Sequence, residues 1–285
     1  MLKQIVAHGS LVMLLMQHCG WNLMLALTVL IDSSITAYTF ATWKQPSDLI
    51  ALSDGYSCFH RKIWHIYAVY GTVTSMFAIT IERIFASKNY KNYEKTSRRL
   101  GCALSFGQFL LASLFEFGAI VTFDFTETRA HCFVVTRRGE KYHRPLAVSL
   151  LILEIVSLVI FHRLLRLNQR RLQADTHYGL SERYQITENV RALKLLVPVV
   201  ISHISLSVIV ASVFSIFSSI HLEPHTRAIA EESLGFLHAH CVIVPLFMFI
   251  RHRRKEEKDE QTSRVNHLHG AALMDEHDRA ITKNW

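Results

Sequence analysis

Charged residues are scarce along most of this chain, and their absence is the first constraint on its fold. Only 19% of the 285 residues are Asp, Glu, Lys or Arg, whereas 50% are hydrophobic. Six long apolar segments contain just two charged side chains, Glu116 and Glu154. A core helix of a soluble protein would carry polar residues at every third or fourth position on its solvent face. No such face is visible, so we discount a soluble helical protein.

Each of the six segments is long enough to cross a bilayer. The hydrocarbon core is about 30 Å thick, and about 20 mostly apolar residues in a helix cross it while satisfying their own backbone hydrogen bonds. The segments are residues 9–31, 63–81, 100–123, 145–161, 195–220 and 233–250. We therefore predict an all-α membrane protein, with a transmembrane helical bundle over residues 1–250 and a polar tail over residues 251–285.

Lys and Arg are unevenly distributed between the two sides of this predicted bundle. The amino terminus, residues 86–99, residues 162–194 and the tail carry 21 of the 31 Lys and Arg residues, and the alternate connections carry 9. Because basic residues are retained on the cytoplasmic side, the first set is predicted to be cytoplasmic, together with both termini. The formal charge of +8 then belongs mainly to loops near anionic lipid. A nucleic-acid partner has no support.

The chain lacks the motifs of enzymes and metal sites. No H-E-x-x-H, G-x-S-x-G, P-loop or paired C-x-x-C occurs. His238 and His240 are two residues apart, which puts them on different faces of a helix and argues against a shared metal ion. The sequence thus predicts neither catalysis nor a cofactor or metal.

Two of the five cysteines lie outside the apolar segments on the predicted outer side. Cys58 precedes the second segment and Cys132 follows the third, so both face the oxidising compartment. We predict a disulfide between them. Two unpaired thiols remain the alternative, because whether the two sulfur atoms can come within bonding distance depends on backbone geometry that the sequence does not contain.

Glu82 and Arg83 close the second segment on its predicted cytoplasmic side. A charged pair at this position can mark the membrane boundary while its head groups stay in water. Alternatively, Arg83 is a switch that pairs with Glu82 in one helix arrangement and meets a cytoplasmic partner in another. The residues alone favour the first reading.

Three polar residues lie well inside apolar segments: Glu116 in the third, Glu154 in the fourth and His203 in the fifth. An unpaired carboxylate is costly in the membrane, so each glutamate is either a functional group or an interhelical hydrogen-bonding group. A polar path of these three residues through a six-span transporter or channel is the alternative function. Pro198, one turn inside the fifth segment, removes a backbone hydrogen bond and predicts a kink.

Two passages carry a resemblance to a known family. Residues 81–95, IERIFASKNYKNYEK, resemble an E-R-x-x-A pattern that is followed shortly by Y-E after the third helix of nematode serpentine chemoreceptors. Residues 180–190, LSERYQITENV, resemble the L-S-x-R-Y-Q-x-x-E-N run that leads into their sixth helix. The combination is similar to the Sra superfamily, most closely its class epsilon (Sre).

The resemblance implies a chemosensory G-protein-coupled receptor in which an unknown small molecule binds between the helices. It favours Arg83 as a switch beside Glu82, and it matches Cys58 and Cys132 to the usual outer disulfide. Pro245 takes the place of the last-helix proline, although no Asn precedes it. Coupling to a heterotrimeric G protein is expected to involve the following residues: Glu82, Arg83, Arg183, Tyr184, Gln185, Glu188 and Asn189.

By the same resemblance, the six segments correspond to the second to seventh helices of a seven-helix receptor. The first helix has no counterpart before Gly9, so we expect a chain truncated at its amino terminus. The expected location is the plasma membrane of sensory neurons, with the tail in the cytoplasm.

Overall fold

The described residues of the computed structural model are 9–42, 55–89, 93–126, 137–173 and 179–219, and all belong to one structural unit of residues 2–242. They form five long α-helices: α1 (Gly9–Thr42), α2 (Gly55–Lys88), α3 (Tyr93–Thr122), α4 (Arg137–Gln173) and α5 (Leu180–Ser219). The first five predicted segments lie within these helices in order, apart from residues 123 and 220 just beyond α3 and α5. The sixth segment, residues 233–250, lies outside the described residues.

Four helices within the described ranges are long and apolar enough to cross a membrane: Gly9–Tyr38, Arg98–Thr122, Lys141–Gln173 and Glu182–Ile209. Their outward faces carry large exposed side chains, with Phe106 72% exposed and Leu30 64% exposed. In water such a surface would be unfavourable, whereas lipid tails solvate it. The helices therefore support a multi-pass membrane protein.

The second segment differs from the others because α2 is the central helix. It packs against all four of the other described helices, and α1 is its most extensive neighbour. Buried hydroxyl side chains run along it, including Thr72, Thr74 and Thr80, and each donates to a backbone carbonyl of its own helix at 2.8–2.9 Å. Because protein surrounds this helix, it tolerates polar residues that lipid would exclude. This explains why α2 is not among the four apolar helices, although residues 63–81 lie inside it.

Successive helices run in opposite directions. Along the α1–α2 contact, Ser10 meets Glu82, His18 meets Ser75 and Asp32 meets Arg61. We call the end of the bundle with Glu82 and Arg83 the Arg83 end. The opposite end, where α4 begins, is the Tyr142 end.

Small residues allow the helices to approach closely. A Cβ added at Gly71 of α2 would lie 2.2 Å from the Trp21 ring of α1, and one at Gly101 of α3 would lie 2.8 Å from the Ser10 backbone. Close contact through glycine is a common way for membrane helices to gain packing energy. Near the Arg83 end, α1, α2, α4 and α5 share one apolar cluster around Leu14, Ile79 and Phe161.

Candidate functional site

The Glu82–Arg83 pair is buried inside the bundle and does not reach solvent. Arg83 is 1% exposed and Glu82 is fully buried. The guanidinium holds both carboxylate oxygens, through Nε to Oε2 and through Nη2 to Oε1 at 2.6 Å. Removing two charges from water costs several kcal/mol per ion, which a buried pair offsets only when further hydrogen bonds complete it. The boundary-marking reading, with both head groups in water, therefore does not describe this arrangement.

Ser10 and Tyr93 complete the carboxylate side of the pair. The Ser10 hydroxyl donates to Glu82 Oε1 at 2.9 Å, and the Tyr93 hydroxyl donates to the same oxygen. The two hydroxyls are 2.7 Å apart, and Arg83 Nη2 reaches the Tyr93 oxygen at 3.5 Å. Because Ser10 lies in the first turn of α1 and Tyr93 begins α3, the pair on α2 ties together three helices.

Asn189 completes the arginine side and adds α5. Arg83 Nη1 donates to Asn189 Oδ1 at 3.1 Å, and Asn189 Nδ2 donates to the Ala86 carbonyl of α2 at 3.2 Å. Both the oxygen and the nitrogen of the Asn189 side-chain amide thus form hydrogen bonds with α2. We call Ser10, Glu82, Arg83, Tyr93 and Asn189 the Arg83 network. It joins four helices at one end of the bundle.

A second set of contacts ties α4 to the end of α2. Asn168 Nδ2 donates to the Ser87 hydroxyl at 2.9 Å, and Arg171 Nη1 donates to the Ser87 carbonyl at 2.7 Å. Neither Asn168 nor Ser87 was predicted. Nothing in the sequence distinguishes them, because each acquires its role from a partner more than 80 residues away.

The other residues of the 180–190 motif have different environments. Arg183 and Tyr184 are exposed at the start of α5, and Gln185 is buried. Glu188 is buried and pairs with Arg191 at 2.9 Å on the same helix. Of the seven residues predicted for coupling, the structure brings Glu82, Arg83 and Asn189 together, and leaves Arg183 and Tyr184 on a surface that a partner can contact.

The intramembrane polar residues do not form one group. His203 Nδ1 of α5 lies 2.9 Å from Glu154 Oε1 of α4, although the two groups are not aligned as a hydrogen bond. Glu116 of α3 lies instead near the Tyr142 end, beside Tyr142. Twelve residues of α4 separate Tyr142 from Glu154, a rise of about 18 Å. The three groups are therefore separated along the bundle axis.

The remaining predicted positions are partly described. Cys58 is buried near the start of α2, but Cys132 lies outside the described residues, so their disulfide is not established and stays a prediction. Pro198 is exposed within α5, which continues from Leu180 to Ser219. Pro245, His238 and His240 also lie outside the described residues.

Comparison with known proteins identifies the family. The family model of the serpentine type 7TM GPCR receptor class ab chemoreceptors matches residues 11–273. The chain belongs to this family. It is a family of receptors, not of enzymes. The superfamily expected from the two motifs is thereby confirmed, but class epsilon is not, since the matching model is that of class ab.

Two relatives from Caenorhabditis elegans are similar to this chain. Serpentine receptor class alpha/beta-14 is 27% identical over 203 residues, which are 66% of this chain and 51% of that protein. Serpentine receptor class alpha-39 is 26% identical over 268 residues, which are 90% of this chain and 70% of that protein. The chain thus spans about half of the first relative and about two thirds of the second.

Proposed function

We propose that this serpentine receptor couples a small chemical ligand to a heterotrimeric G protein through rearrangement of its helices. The observation that supports the proposal is the Arg83 network, which ties α1, α2, α3 and α5 together at the predicted cytoplasmic end. Any opening at this end has to separate Arg83 from Asn189 or Tyr93. The network is therefore suited to hold the inactive arrangement.

The switch requires two arrangements that a ligand stabilises differently. In the closed arrangement Arg83 is satisfied inside the bundle; in the open one it turns toward a cytoplasmic crevice and contacts the G protein. Exposed Arg183 and Tyr184 lie at the start of α5, on the helix that carries Asn189. Movement of α5 would therefore release Arg83 and reposition these two side chains in one step.

The proposal includes the membrane setting inferred from the charge bias. Six spans, equivalent to the second to seventh helices of a receptor, place the tail after residue 250 in the cytoplasm. The protein acts in the plasma membrane of sensory neurons, with the lipid bilayer, a G protein and a small molecule as partners.

The experiment is an Arg83→Ala substitution in cells that carry a G-protein activation sensor. A panel of volatile and water-soluble chemicals first identifies an activator of the unmodified chain. We expect Arg83→Ala to abolish the response at equal surface expression. The control is Arg163→Ala, which removes an exposed arginine of α4 outside the Arg83 network and should leave the response intact. An unchanged response in Arg83→Ala would overturn the proposed switch.

The transporter or channel alternative gains no support from the described residues. It needs a continuous polar path, whereas Glu116 lies beside Tyr142, which is about 18 Å along α4 from the Glu154 position of the Glu154–His203 pair. Solute flux into liposomes tests it directly, and a receptor should produce none.

A further inference from the structure

Glu116 is a buried carboxylate without a partner. It lies six residues before the end of α3, at the Tyr142 end, and is 8% exposed. Its Oε2 atom accepts no hydrogen bond, and none of the ion pairs among the described residues involves it. The other intramembrane glutamate, Glu154, has His203 beside it. Glu116 therefore lacks the counter-charge that it would need in order to be ionised in this environment.

Aromatic side chains from three helices lie near this carboxylate. Tyr70 of α2 and Tyr142 of α4 are close enough to interact electrostatically with it. Phe115 precedes it on α3, and the Tyr70 and Phe115 ring centroids are 5.7 Å apart at 69°. His143 Nδ1 lies 3.4 Å from the Tyr70 hydroxyl. Oxygen atoms and aromatic rings thus occur together near Glu116.

The phenol groups are held in place by the helices around them. The Tyr142 hydroxyl donates to the Phe115 carbonyl at 3.0 Å, and its ring lies directly over Gly118, where an added Cβ would be 2.2 Å from the hydroxyl oxygen. Tyr70 is 5% exposed within a cluster of buried apolar residues. The two tyrosine side chains near Glu116 are therefore held in defined positions.

A protonated amine would supply the counter-charge that Glu116 lacks and could also contact the nearby tyrosines. An ammonium group donates charge-assisted hydrogen bonds to a carboxylate and is attracted to the faces of aromatic rings. No ion pair among the described residues joins Glu116 to the basic side chains nearest along α4, Lys141 and Arg144. We propose that Glu116, together with Tyr70 and Tyr142, binds the ammonium group of an organic amine. This inference rests on the proposed receptor function and names the chemical class of its ligand.

The amine site and Arg83 are connected by the central helix α2, so that ligand binding at one end of this helix can affect the other end. Tyr70 and Arg83 lie on the same central helix, 13 residues or about 20 Å apart. A ligand that draws Tyr70 toward Glu116 changes the contact of α2 with α3 and α4. The same helix carries the Arg83 network at its other end.

The test compares amines with neutral molecules of the same shape. The full chain is purified in lipid nanodiscs, and its thermal midpoint Tm is measured with ethylamine, phenethylamine and tryptamine, each beside the matching alcohol: ethanol, 2-phenylethanol and tryptophol. A ligand that binds only the folded state raises Tm. We expect at least one amine to raise Tm at concentrations where its alcohol has no effect.

Variants assign the effect to Glu116. Glu116→Gln keeps the shape and removes the charge, so the affinity for that amine should fall at least about tenfold. Glu154→Gln, the matched control, should leave amine binding unchanged. The inference is overturned if no amine stabilises the unmodified chain more than its alcohol does, or if Glu116→Gln retains the preference for the amine. The first of these comparisons needs no variant to fold.

The two proposals fail in different ways. If amines bind through Glu116 but the G-protein sensor never responds, the coupling proposal is overturned and the amine site stands. If only neutral or anionic molecules activate the sensor, and no amine binds, the amine site is overturned and coupling stands.

Discussion

Arg83 donates a hydrogen bond to the side chain of Asn189, 3.1 Å away in space and 106 residues further along the chain. The bond joins the central helix α2 to α5, and both residues are almost fully buried. Hydrogen bonds to a charged group contribute about 1.5–3 kcal/mol when both partners are present. A bond of this size at one end of a bundle is large enough to bias an equilibrium between two helix arrangements.

Replacing Asn189 by Leu should therefore favour the open arrangement. Leu fills a similar volume but accepts no hydrogen bond from Arg83 and donates none to the Ala86 carbonyl. Because Arg83 no longer contacts Asn189 in the open arrangement, losing these hydrogen bonds destabilises the closed arrangement and not the open one. We expect ligand-independent G-protein activation to rise about tenfold, which corresponds to about 1.4 kcal/mol. The measurement is basal sensor activity at matched surface expression.

The neighbouring Thr187 provides the control for this experiment. It is exposed on α5, and its hydroxyl bonds only its own helix, at the Arg183 carbonyl. Thr187→Val should leave basal activity unchanged. A basal activity of Asn189→Leu at or below that of the unmodified chain would contradict the role of the Arg83–Asn189 bond.

Gly71 is predicted to be indispensable for packing of α1 on α2. An alanine methyl group there would lie 2.2 Å from the Trp21 ring, which also contacts Tyr67 and Phe109 with ring centroids 5.1 Å away. Overpacking of this kind costs about 1–3 kcal/mol. We expect Gly71→Ala to lower Tm in nanodiscs by several degrees.

Gly107 of α3 is the matched control, because no atom lies within 4 Å of an added Cβ there. Alanine is favoured over glycine in a helix by up to about 1 kcal/mol, so Gly107→Ala should leave Tm unchanged or raise it. Equal effects of the two substitutions would show that helix propensity, and not the Trp21 contact, controls stability.

The apolar segments of the sequence predict where the described helices lie, but they do not predict where these helices begin and end. The fourth segment was predicted over residues 145–161, whereas α4 runs from Arg137 to Gln173. Its 37 residues extend about 55 Å, which exceeds the hydrocarbon core of about 30 Å. Hydrophobicity marks only the part of a helix that lipid surrounds, and a helix continues beyond it wherever its backbone stays hydrogen-bonded.

The candidate site was predictable only where a motif drew attention to it. Glu82, Arg83 and Asn189 were predicted from the family resemblance, whereas Ser10 was not. Its hydroxyl meets Glu82 across 72 residues of sequence, and α3 packs so closely on the start of α1 that a Cβ added at Gly101 would lie 2.8 Å from the Ser10 backbone. Nothing in the sequence around a serine in an apolar segment indicates that it has such a partner. Tyr93 was inside a quoted motif, but its hydroxyl contact depends on where α3 begins.

The predicted disulfide between Cys58 and Cys132 can be tested by thiol labelling. In a chain whose other cysteines, Cys19, Cys102 and Cys241, are replaced by alanine, we expect no reaction with a maleimide polymer under denaturing conditions. After reduction both thiols should react, and the mass should increase by two labels. Cys58→Ala should then leave one reactive thiol at position 132 without any reductant. Two labels on the unreduced protein would show that the cysteines are unpaired.

Glu154 and His203 should stabilise the α4–α5 contact as a pair and not as two separate groups. Removing one partner leaves the other buried without its counterpart, since His203 Nδ1 lies 2.9 Å from Glu154 Oε1 and Glu154 is 3% exposed. We expect Glu154→Gln and His203→Gln each to lower Tm, and the double variant to lower it by less than the sum of the two. Contacting residues usually show coupling of about 0.5–3 kcal/mol, although polar pairs between membrane helices average about 0.6 kcal/mol. If the Tm decreases of the two single variants add up to that of the double variant, the two side chains stabilise α4 and α5 independently. The contact between them would then contribute nothing to stability.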